Sequence, residues 1–331
     1  MYLGRNVHMK LSMLFACAVL VFLTVAQSVR SSDAAEVVIL KSADLSYYND
    51  MVEGFRSTLP PKTTIKEYDL GGNLSTGRDI TRMLRADPPS LVFAVGLKAT
   101  LAAKLELPDT PVLFSQVLNP ELYDLPMRNM AGIRVVVSPD QQLSTLRALL
   151  PQAKRIGLLY EKESQIGFLN DANHSAHRHG FTLIQSPVSS SSDVPGALHA
   201  LLPTIDALWV IQDRIVLTEE SVPFLLKALL DAKVPMFTFS DILIRQGALG
   251  GLVLQPSELG KQAGDQAIHL LRGRTQSLGS LIDPQRPQLV LNLHVAEYLG
   301  ISTSEHLVRM AGTLYGTGTI AQRSDLNTDV R

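Results

Sequence analysis

The chain has 331 residues, of which 46% are apolar, and this is enough to build two ordinary domains. Its formal net charge of -1 at pH 7 provides no basic surface of the kind that binds nucleic acid or an anionic membrane. We therefore expect no nucleic-acid partner.

Residues 1 to 35 are predicted to be an export signal. Lys10 precedes LSMLFACAVLVFLTVA, an apolar run of signal-peptide length, and the polar stretch QSVRSSDAAE follows. The run falls short of the ~20 residues that span a bilayer, which favours cleavage near Ala34 or Ala35 over a retained membrane anchor. Cys17, the single cysteine, lies inside this run, so we expect a cysteine-free mature protein in the periplasm without disulfides or cysteine-zinc sites.

Apolar strands and helices alternate from the start of the mature chain. The first strand, Val37 to Leu40, leads through the polar loop KSADLSYYND into a helix-like stretch, MVEGFRSTL. Strands that are apolar throughout and alternate with helices are typical of parallel sheets covered on both faces. The remaining elements predicted in the first half are a strand near Thr63 to Asp69, a helix over Gly77 to Arg85, the strand LVFAV, a helix to Leu107 and the strand PVLFS.

The second half repeats this plan. The strand RIGLLY leads through EKESQIG into a helix that ends at Gly180, and LVFAVG in the first half corresponds to LWVIQD in the second. We predict an α/β fold made of two doubly wound parallel-sheet lobes. The other elements predicted in this half are FTLIQSPV, a helix near Pro195 to Leu202, a helix over Ser221 to Ala232 and the strand PMFTFSD.

A ligand site is predicted between the lobes. In open parallel sheets, ligands bind beyond the carboxyl ends of the strands, where the chain order reverses. Gly96 follows LVFAV, and its lack of a side chain would let the backbone approach a small ligand. The candidate ligand-binding residues are Ser42, Asp44, Gly96, Ser115, Gln116, Ser164, Asp213, Arg214, Ser240 and Asp241.

Each candidate also has a structural interpretation. A serine at a strand end commonly caps the next helix, so capping and ligand contact both stay open for the four serines of this set. Arg214 would hold a ligand carboxylate with two hydrogen bonds, or it would lie in solvent or pair between lobes. Tyr47, Tyr48 and Phe168 would line the pocket or belong to the core.

Signals of catalysis are poor. The sequence has no Gly-x-Ser-x-Gly elbow, no Walker A loop and no His-Glu-x-x-His helix, so we expect neither an enzyme nor a cofactor. His174, His177 and His179 are close in sequence, but on a helix only the first two share a face. A solvated helix end before Gly180 is therefore favoured over a metal site.

The chain resembles the ABC transporter substrate-binding proteins related to the tryptophan- and tyrosine-binding components. The resemblance runs in the same order through nearly all of residues 36 to 302. It is carried by LLPQAKRIGLLYEKES, PVSSSSDVPGAL, IDALWVIQD, VPMFTFSD, RQGALGGL, ELGKQAGDQAIHLLRG and LVLNLHVAEYLGI.

This resemblance implies a type I periplasmic-binding-protein architecture, with three crossing segments between two lobes that close on a small-molecule ligand. It also implies delivery of that ligand to an inner-membrane permease with a cytoplasmic ATPase, and we expect the protein to be a monomer. A ligand sensor that reports to a membrane receptor or kinase is the alternative, because function does not follow from fold. The predicted division is 36–134 with 256–280 as the first lobe, 135–255 with 281–302 as the second, and a disordered polar tail over 303–331.

The sequence departs from the family pattern at the predicted site. Leu97 stands where the family commonly has threonine after the glycine, and Arg214 where it often has asparagine. Leu118-Asn119-Pro120 replaces a Ser-Asp-Pro sequence. Asp213 and the Ser240-Asp241 pair are retained, and the resemblance implies that they could meet the ammonium group of an amino acid.

Overall fold

The computed structural model describes residues 35–162 and 166–316. The predicted export signal, Ser164 and the residues after 316 lie outside this range. The described chain forms two sheets, each flanked by helices. The strands are β1 (Glu36–Lys41), β2 (Thr64–Asp69), β3 (Leu91–Val95), β4 (Val112–Ser115), β5 (Met130–Ile133), β6 (Arg155–Glu161), β7 (Thr182–Val188), β8 (Ala207–Trp209), β9 (Met236–Thr238), β10 (Gly250–Val253), β11 (Leu281–Ile282), β12 (Gln288–Asn292) and β13 (Thr313–Tyr315).

Five strands of each sheet share one order, β5-β4-β3-β1-β2 and β10-β9-β8-β6-β7, as the internal repeat predicted. The first sheet runs β11-β5-β4-β3-β1-β2, and the second runs β13-β12-β10-β9-β8-β6-β7. In each, the chain order reverses beside the lobe's first strand, which pairs in parallel with two neighbours. β12 is the exception in direction, because it pairs antiparallel with β10. This arrangement places a topological switch point, the usual location of a ligand, in each lobe.

Eleven helices flank the sheets in the described ranges. One pair, the first helix and the helix after β10, packs together in the first lobe. The helix after β10 packs so closely on the first helix that a Cβ at Gly54 or Gly260 would overlap backbone of the facing helix. The helices are α1 (Ser46–Thr58), α2 (Leu74–Ala86), α3 (Leu97–Glu106), α4 (Pro139–Leu149), α5 (Ile166–Arg178), α6 (Val194–Leu201), α7 (Ser221–Asp231), α8 (Asp241–Gln246), α9 (Pro256–Leu271), α10 (Leu293–Leu299) and α11 (Glu305–Met310).

The central strand β3 is anchored by aromatic packing. All five of its residues are buried, and Phe93 stacks on Phe55 of α1 with ring centroids 4.3 Å apart. Removing such a buried ring typically costs about 3 to 5 kcal/mol. The end of β3, where the predicted site begins, is therefore held rigidly against α1.

The chain changes sheet three times, between β5 and α4, between β10 and α9, and between β11 and β12. The expected start of the last second-lobe segment at residue 281 is wrong by two residues. Leu281 and Ile282 pair with Gly132 and Ile133 of β5, so they complete the first sheet.

The prediction of a disordered tail from residue 303 is wrong for residues 303–316. Glu305–Met310 form α11, and Thr313–Tyr315 form β13, which pairs in parallel with β12. The polar composition gave no strand signal, because β13 is stabilised by backbone pairing at a sheet edge and not by burial of apolar side chains.

Within the two described ranges, no helix is both long and apolar enough to cross a membrane.

Candidate functional site

Gly96 lies at the carboxyl end of β3 and begins α3. Its φ of 89° is a conformation that suits glycine, and a Cβ there would lie 2.7 Å from both Ser42 Oγ and the Tyr48 hydroxyl. Because glycine has no capping side chain, Ser42, which directly follows the neighbouring strand β1, accepts a 2.9 Å hydrogen bond from the backbone N–H of Ala99. Ser42 is therefore brought to Gly96, where it caps α3.

The first turn of α3 presents further donors to the same place. Among the described residues, the N–H groups of Leu97 and Lys98 have no hydrogen-bond partner. Helix N-terminal N–H groups attract a carboxylate through hydrogen bonding and the helix dipole. The departure from threonine to Leu97 removes a hydroxyl but leaves these backbone donors in place.

Two tyrosines from the first turn of α1 cover this end of the sheet. Burial raises the pKa of Tyr48 and of Tyr47, and at Tyr47 hydrogen bonding with Gln116 opposes the rise. Tyr47 nevertheless keeps 41% of its surface exposed. Gln116 follows β4 directly, with its Nε2 3.8 Å from Met51 Sδ. Tyr48, whose hydroxyl lies beside Gly96, and Gln116 thus extend the wall that Ser42 and Gly96 begin.

Two predicted residues of the first lobe have other partners. Ser115 is fully buried and donates a 3.2 Å hydrogen bond to the carbonyl oxygen of Ile133. Asp44 accepts a 2.8 Å hydrogen bond from Asn49 and lies 3.5 Å from Lys41 Nζ, and both interactions lower the pKa of its carboxyl group. Neither side chain is directed at the cleft by these contacts.

Lys41 forms a buried ionic cluster that the sequence did not indicate. Its Nζ lies 2.9 Å from Glu67, 3.7 Å from Asp69 and 2.8 Å from the Asn49 side-chain oxygen. Burial alone would lower the pKa of Lys41, but hydrogen bonding to Glu67 and the surrounding acids raise it. A charged residue, Lys41, at the end of an otherwise apolar strand could have indicated such a cluster. Its partners on β2, Glu67 and Asp69, could be identified only from the fold.

Asp213, on the second lobe, is a buried carboxylate that organises its own loop. Oδ2 accepts a 2.7 Å hydrogen bond from the N–H of Glu161, and Oδ1 accepts bonds of 2.9 and 3.0 Å from Ile215 and Val216. Only 6% of Asp213 is exposed. These contacts favour a structural role, and an interaction with a ligand ammonium group stays a prediction.

The other second-lobe candidates lie at the ends of β8 and β9. Arg214 is 86% exposed in its side chain, with Glu161 3.9 Å away. Ser240 caps α8 through a 3.4 Å bond from the N–H of Leu243. Asp241 accepts a 2.7 Å hydrogen bond from the Tyr315 hydroxyl, a residue of the strand that sequence reasoning missed.

An apolar groove of about 1160 Å³ lies on the second lobe alone, between α7 on one side and α8 and α10 on the other. Of the predicted site residues only Ser240 lines it, together with Phe239, Leu226 and Val295. This groove is therefore separate from the wall around Gly96.

Phe168 and two of the three histidines considered in the sequence, His174 and His179, have contacts within the second lobe. Phe168 packs on Trp209 in the second-lobe core, with ring centroids 5.5 Å apart. His179 Nε2 lies 2.8 Å from Asp140 Oδ1, and His174 Nδ1 lies 2.8 Å from the Asn170 carbonyl oxygen. In the part of the chain that the structure describes, no three histidine, cysteine or acidic residues form a group that could hold a metal ion.

Comparison with known proteins agrees with this architecture. A family model described as ABC transporter substrate binding protein matches residues 61–314. The tyrosine-binding protein of Clostridioides difficile strain R20291 is 26% identical over 214 residues. That match covers 61% of this chain and 61% of the relative's length, which is less than two thirds of the relative.

Two solved structures show the same fold. One is an ABC domain from Streptococcus pneumonia in complex with L-Trp, with a TM-score of 0.59 and 20% identity. The other is the ligand-free, open form of a Clostridium difficile substrate-binding protein with adhesive properties, with a TM-score of 0.73 and 21% identity. Each match covers 85% of this chain and 99% of the other chain. The likeness confirms the predicted type I periplasmic-binding-protein fold.

Proposed function

Because the chain belongs to the family of ABC transporter substrate-binding proteins, we propose that it is the periplasmic solute-binding component of an ABC importer. The protein binds a small ligand between its lobes and delivers it to an inner-membrane permease. Like the other members of this family, it is a binding protein and not an enzyme. The observation that supports this binding site is the wall around Gly96, where the open N–H groups of α3 lie close to the Tyr48 side chain.

The ligand class that this wall supports is an aromatic or other hydrophobic amino acid. The N–H groups at the start of α3 suit a carboxylate, and the rings of Tyr47 and Tyr48 suit an apolar side chain. A relative named for tyrosine binding and a neighbour crystallised with L-Trp add support to this choice.

A thermal-shift screen of the mature protein against amino acids, small carboxylates and sugars tests the ligand class. A ligand that binds only the folded protein stabilises it by about 2.7 kcal/mol at a concentration one hundred times its Kd. We expect L-tryptophan or L-tyrosine to raise the unfolding midpoint. A shift with sugars alone would overturn the amino-acid assignment.

The importer role needs a separate test in cells. Deletion of the gene should abolish high-affinity uptake of the ligand found in the screen, and genes for a permease and an ATPase should lie beside it. Normal uptake combined with a lost signalling response would favour the sensor.

N-terminal sequencing of periplasmic protein would test the expected start of the mature chain near Ala35 or Glu36. Light scattering of the same protein would test the expectation that it is a monomer.

A further inference from the structure

Lys41 is a buried cation at the edge of the sheet where the proposed ligand site begins. It is the last residue of β1, its side chain is 9% exposed, and the four residues before it are apolar and fully buried. Burying an ammonium group is costly, and an apolar side chain of similar size is often as stable or more stable in such a position. The stability of the sheet alone therefore gives no reason for a lysine here.

On one side, two acids of β2 hold the ammonium group. Nζ lies 2.9 Å from Oε1 of Glu67 and 3.7 Å from Oδ2 of Asp69. Each acid has a second partner, because Glu67 lies 2.6 Å from Nη2 of Arg56 and Asp69 accepts a 2.6 Å hydrogen bond from the N–H of Gly71. The acids are thus fixed on β2, and they fix the position of the ammonium group in turn.

On the other side, Lys41 holds the start of α1. Nζ donates a 2.8 Å hydrogen bond to Oδ1 of Asn49, and Nδ2 of Asn49 donates one of the same length to Asp44. Leu45, the N-cap residue of α1, offers no side-chain hydrogen bond to the first turn of the helix. The contacts of Asn49 therefore fasten an uncapped first turn to β1.

The sequence neighbours of Lys41 and Asn49 belong to the wall around Gly96. Ser42, which follows Lys41, is the residue that caps α3. Tyr48, which precedes Asn49, has its hydroxyl group 2.7 Å from the place that a Cβ at Gly96 would occupy. Lys41 thus connects the two elements that supply the side chains of this wall.

We propose that Lys41 is a positioning residue of the ligand site, and that its hydrogen bond to Asn49 holds the first turn of α1, with Tyr48, against β1. This inference rests on the proposed function, and it concerns the affinity for the ligand and not the choice of ligand. A wall that is ordered before the ligand arrives loses less conformational freedom on binding, so it binds more tightly. The ammonium group acts on the wall through its partners, because acids and an amide oxygen surround it.

Calorimetric titration of Lys41→Met with L-tryptophan and L-tyrosine tests this role, together with urea unfolding. Methionine keeps a long unbranched side chain and removes the charge, while the two acids of β2 keep Arg56 and the Gly71 N–H as partners. We expect binding to weaken about tenfold because the first turn of α1 has to be ordered by the ligand. The urea midpoint should stay at or above that of the parent.

Lys66→Met is the matched control. The Nζ of Lys66 also lies 2.9 Å from a glutamate, Glu36, but this ion pair lies toward the amino end of β1, away from the ligand site. Lys66→Met should leave both affinities unchanged.

Asn49→Ala separates positioning from charge. It removes the link between Lys41 and α1 but leaves the ammonium group in place, and alanine favours the helix. This variant should weaken binding in the same way as Lys41→Met. Parent-like affinity in Asn49→Ala would overturn the positioning role, since any effect of Lys41 would then come from its charge or from stability.

The outcomes separate this inference from the proposed function. If the parent binds L-tryptophan or L-tyrosine and Lys41→Met binds it equally well, the positioning role is wrong and the binding function stands. If the parent binds neither, the aromatic assignment is overturned, and hydrogen–deuterium exchange of the backbone amides of residues 46–52 decides the role of Lys41. Faster exchange in Lys41→Met than in Lys66→Met would support it, and equal exchange would refute it.

Discussion

The two lobes use the end of the corresponding strand in different ways. In the first lobe, Gly96 directly follows β3, and the next helix, α3, is capped by Ser42, which directly follows the neighbouring strand β1. In the second lobe, the segment after β8 reaches Asp213, whose buried carboxylate accepts three backbone hydrogen bonds. One fold position thus carries a side-chain-free opening in one lobe and a filled, internally bonded loop in the other.

Equivalent strand ends in the two lobes therefore need not have equivalent roles. Gly96 leaves backbone N–H groups of α3 accessible. The carboxylate of Asp213 instead accepts hydrogen bonds from the backbone N–H groups of Glu161, Ile215 and Val216. We therefore expect the loss of Asp213 to change stability most, and substitutions on the wall around Gly96 to change ligand binding as well.

Asp213→Ala should have the largest effect. Its removal leaves buried N–H groups without acceptors, and each such loss around a charged partner costs about 1 to 3 kcal/mol. We expect the free energy of unfolding in urea to fall by about 2 to 4 kcal/mol. Asp241→Ala is the control, since its carboxylate is half-buried and, within the described ranges, accepts hydrogen bonds from the Tyr315 hydroxyl and, at 3.4 Å, from Arg245.

A different result at Asp213 would reverse the comparison. If Asp213→Ala unfolded like the parent but bound L-tryptophan at least tenfold more weakly, Asp213 would be the ammonium partner that the sequence predicted.

Gly96→Ala should be the next most damaging. The methyl group would meet Ser42 Oγ and the Tyr48 hydroxyl at 2.7 Å, and alanine at a φ of 89° is strained in addition. We expect a loss of about 1 to 3 kcal/mol in the free energy of unfolding. Gly279→Ala is matched in backbone, with a φ of 79° and nothing within 4 Å, so it isolates the backbone contribution. Equal losses at the two glycines would show that crowding at Gly96 is unimportant.

Ser42→Ala and Ser240→Ala compare the caps of the two lobes. Ser42 is buried and its bond to the Ala99 N–H is 2.9 Å long, whereas the Ser240 bond to Leu243 is 3.4 Å long. We expect Ser42→Ala to cost about 1 to 2 kcal/mol and Ser240→Ala about 0.5 kcal/mol in chemical unfolding. A larger loss at Ser240 would contradict the assignment of Ser42 as the stronger cap.

The smallest expected effect is acid sensitivity from Glu67. Burial would raise the pKa of Glu67, but its bonds to Arg56 and Lys41 lower it below the ordinary value of 4.5. A depressed folded-state pKa contributes stability that is present above the unfolded value and is lost as the pH falls through the folded value. Because Glu67 is partly exposed, we expect this contribution to stay below about 1 kcal/mol. Urea unfolding from pH 6 to pH 3 should show a weaker acid dependence in Glu67→Gln, and an unchanged dependence would refute this role.

The sequence predicted the repeated α/β plan because apolar strands and helical periods are local signals. LVFAV became β3 as expected, and Gly96 lies where a ligand could approach. The hydrogen bond from the Glu161 N–H to Asp213 could not be predicted, because Glu161 is distant in sequence and is brought near by the pairing of β6 with β8.

Residues 313–315 show the same limit from another direction. Thr313 and Tyr315 carry little hydrophobic signal, and their strand forms because the edge of β12 offers unpaired backbone groups. Gln116 lies directly after β4, where the sequence placed it, but no local pattern encodes its left-handed φ of 62° or the approach of its Nε2 to Met51 of α1.

We propose that the ligand binds between the lobes and that the crossing segments allow the lobes to close on it. Small-angle X-ray scattering of the parent protein, without ligand and saturated with the strongest stabiliser from the thermal-shift screen, tests it most directly. We predict a smaller radius of gyration in the saturated sample, because hinge motion at the segments after β5, β10 and β11 brings the two walls together. An unchanged radius at proven saturation would contradict closure of the cleft on the ligand.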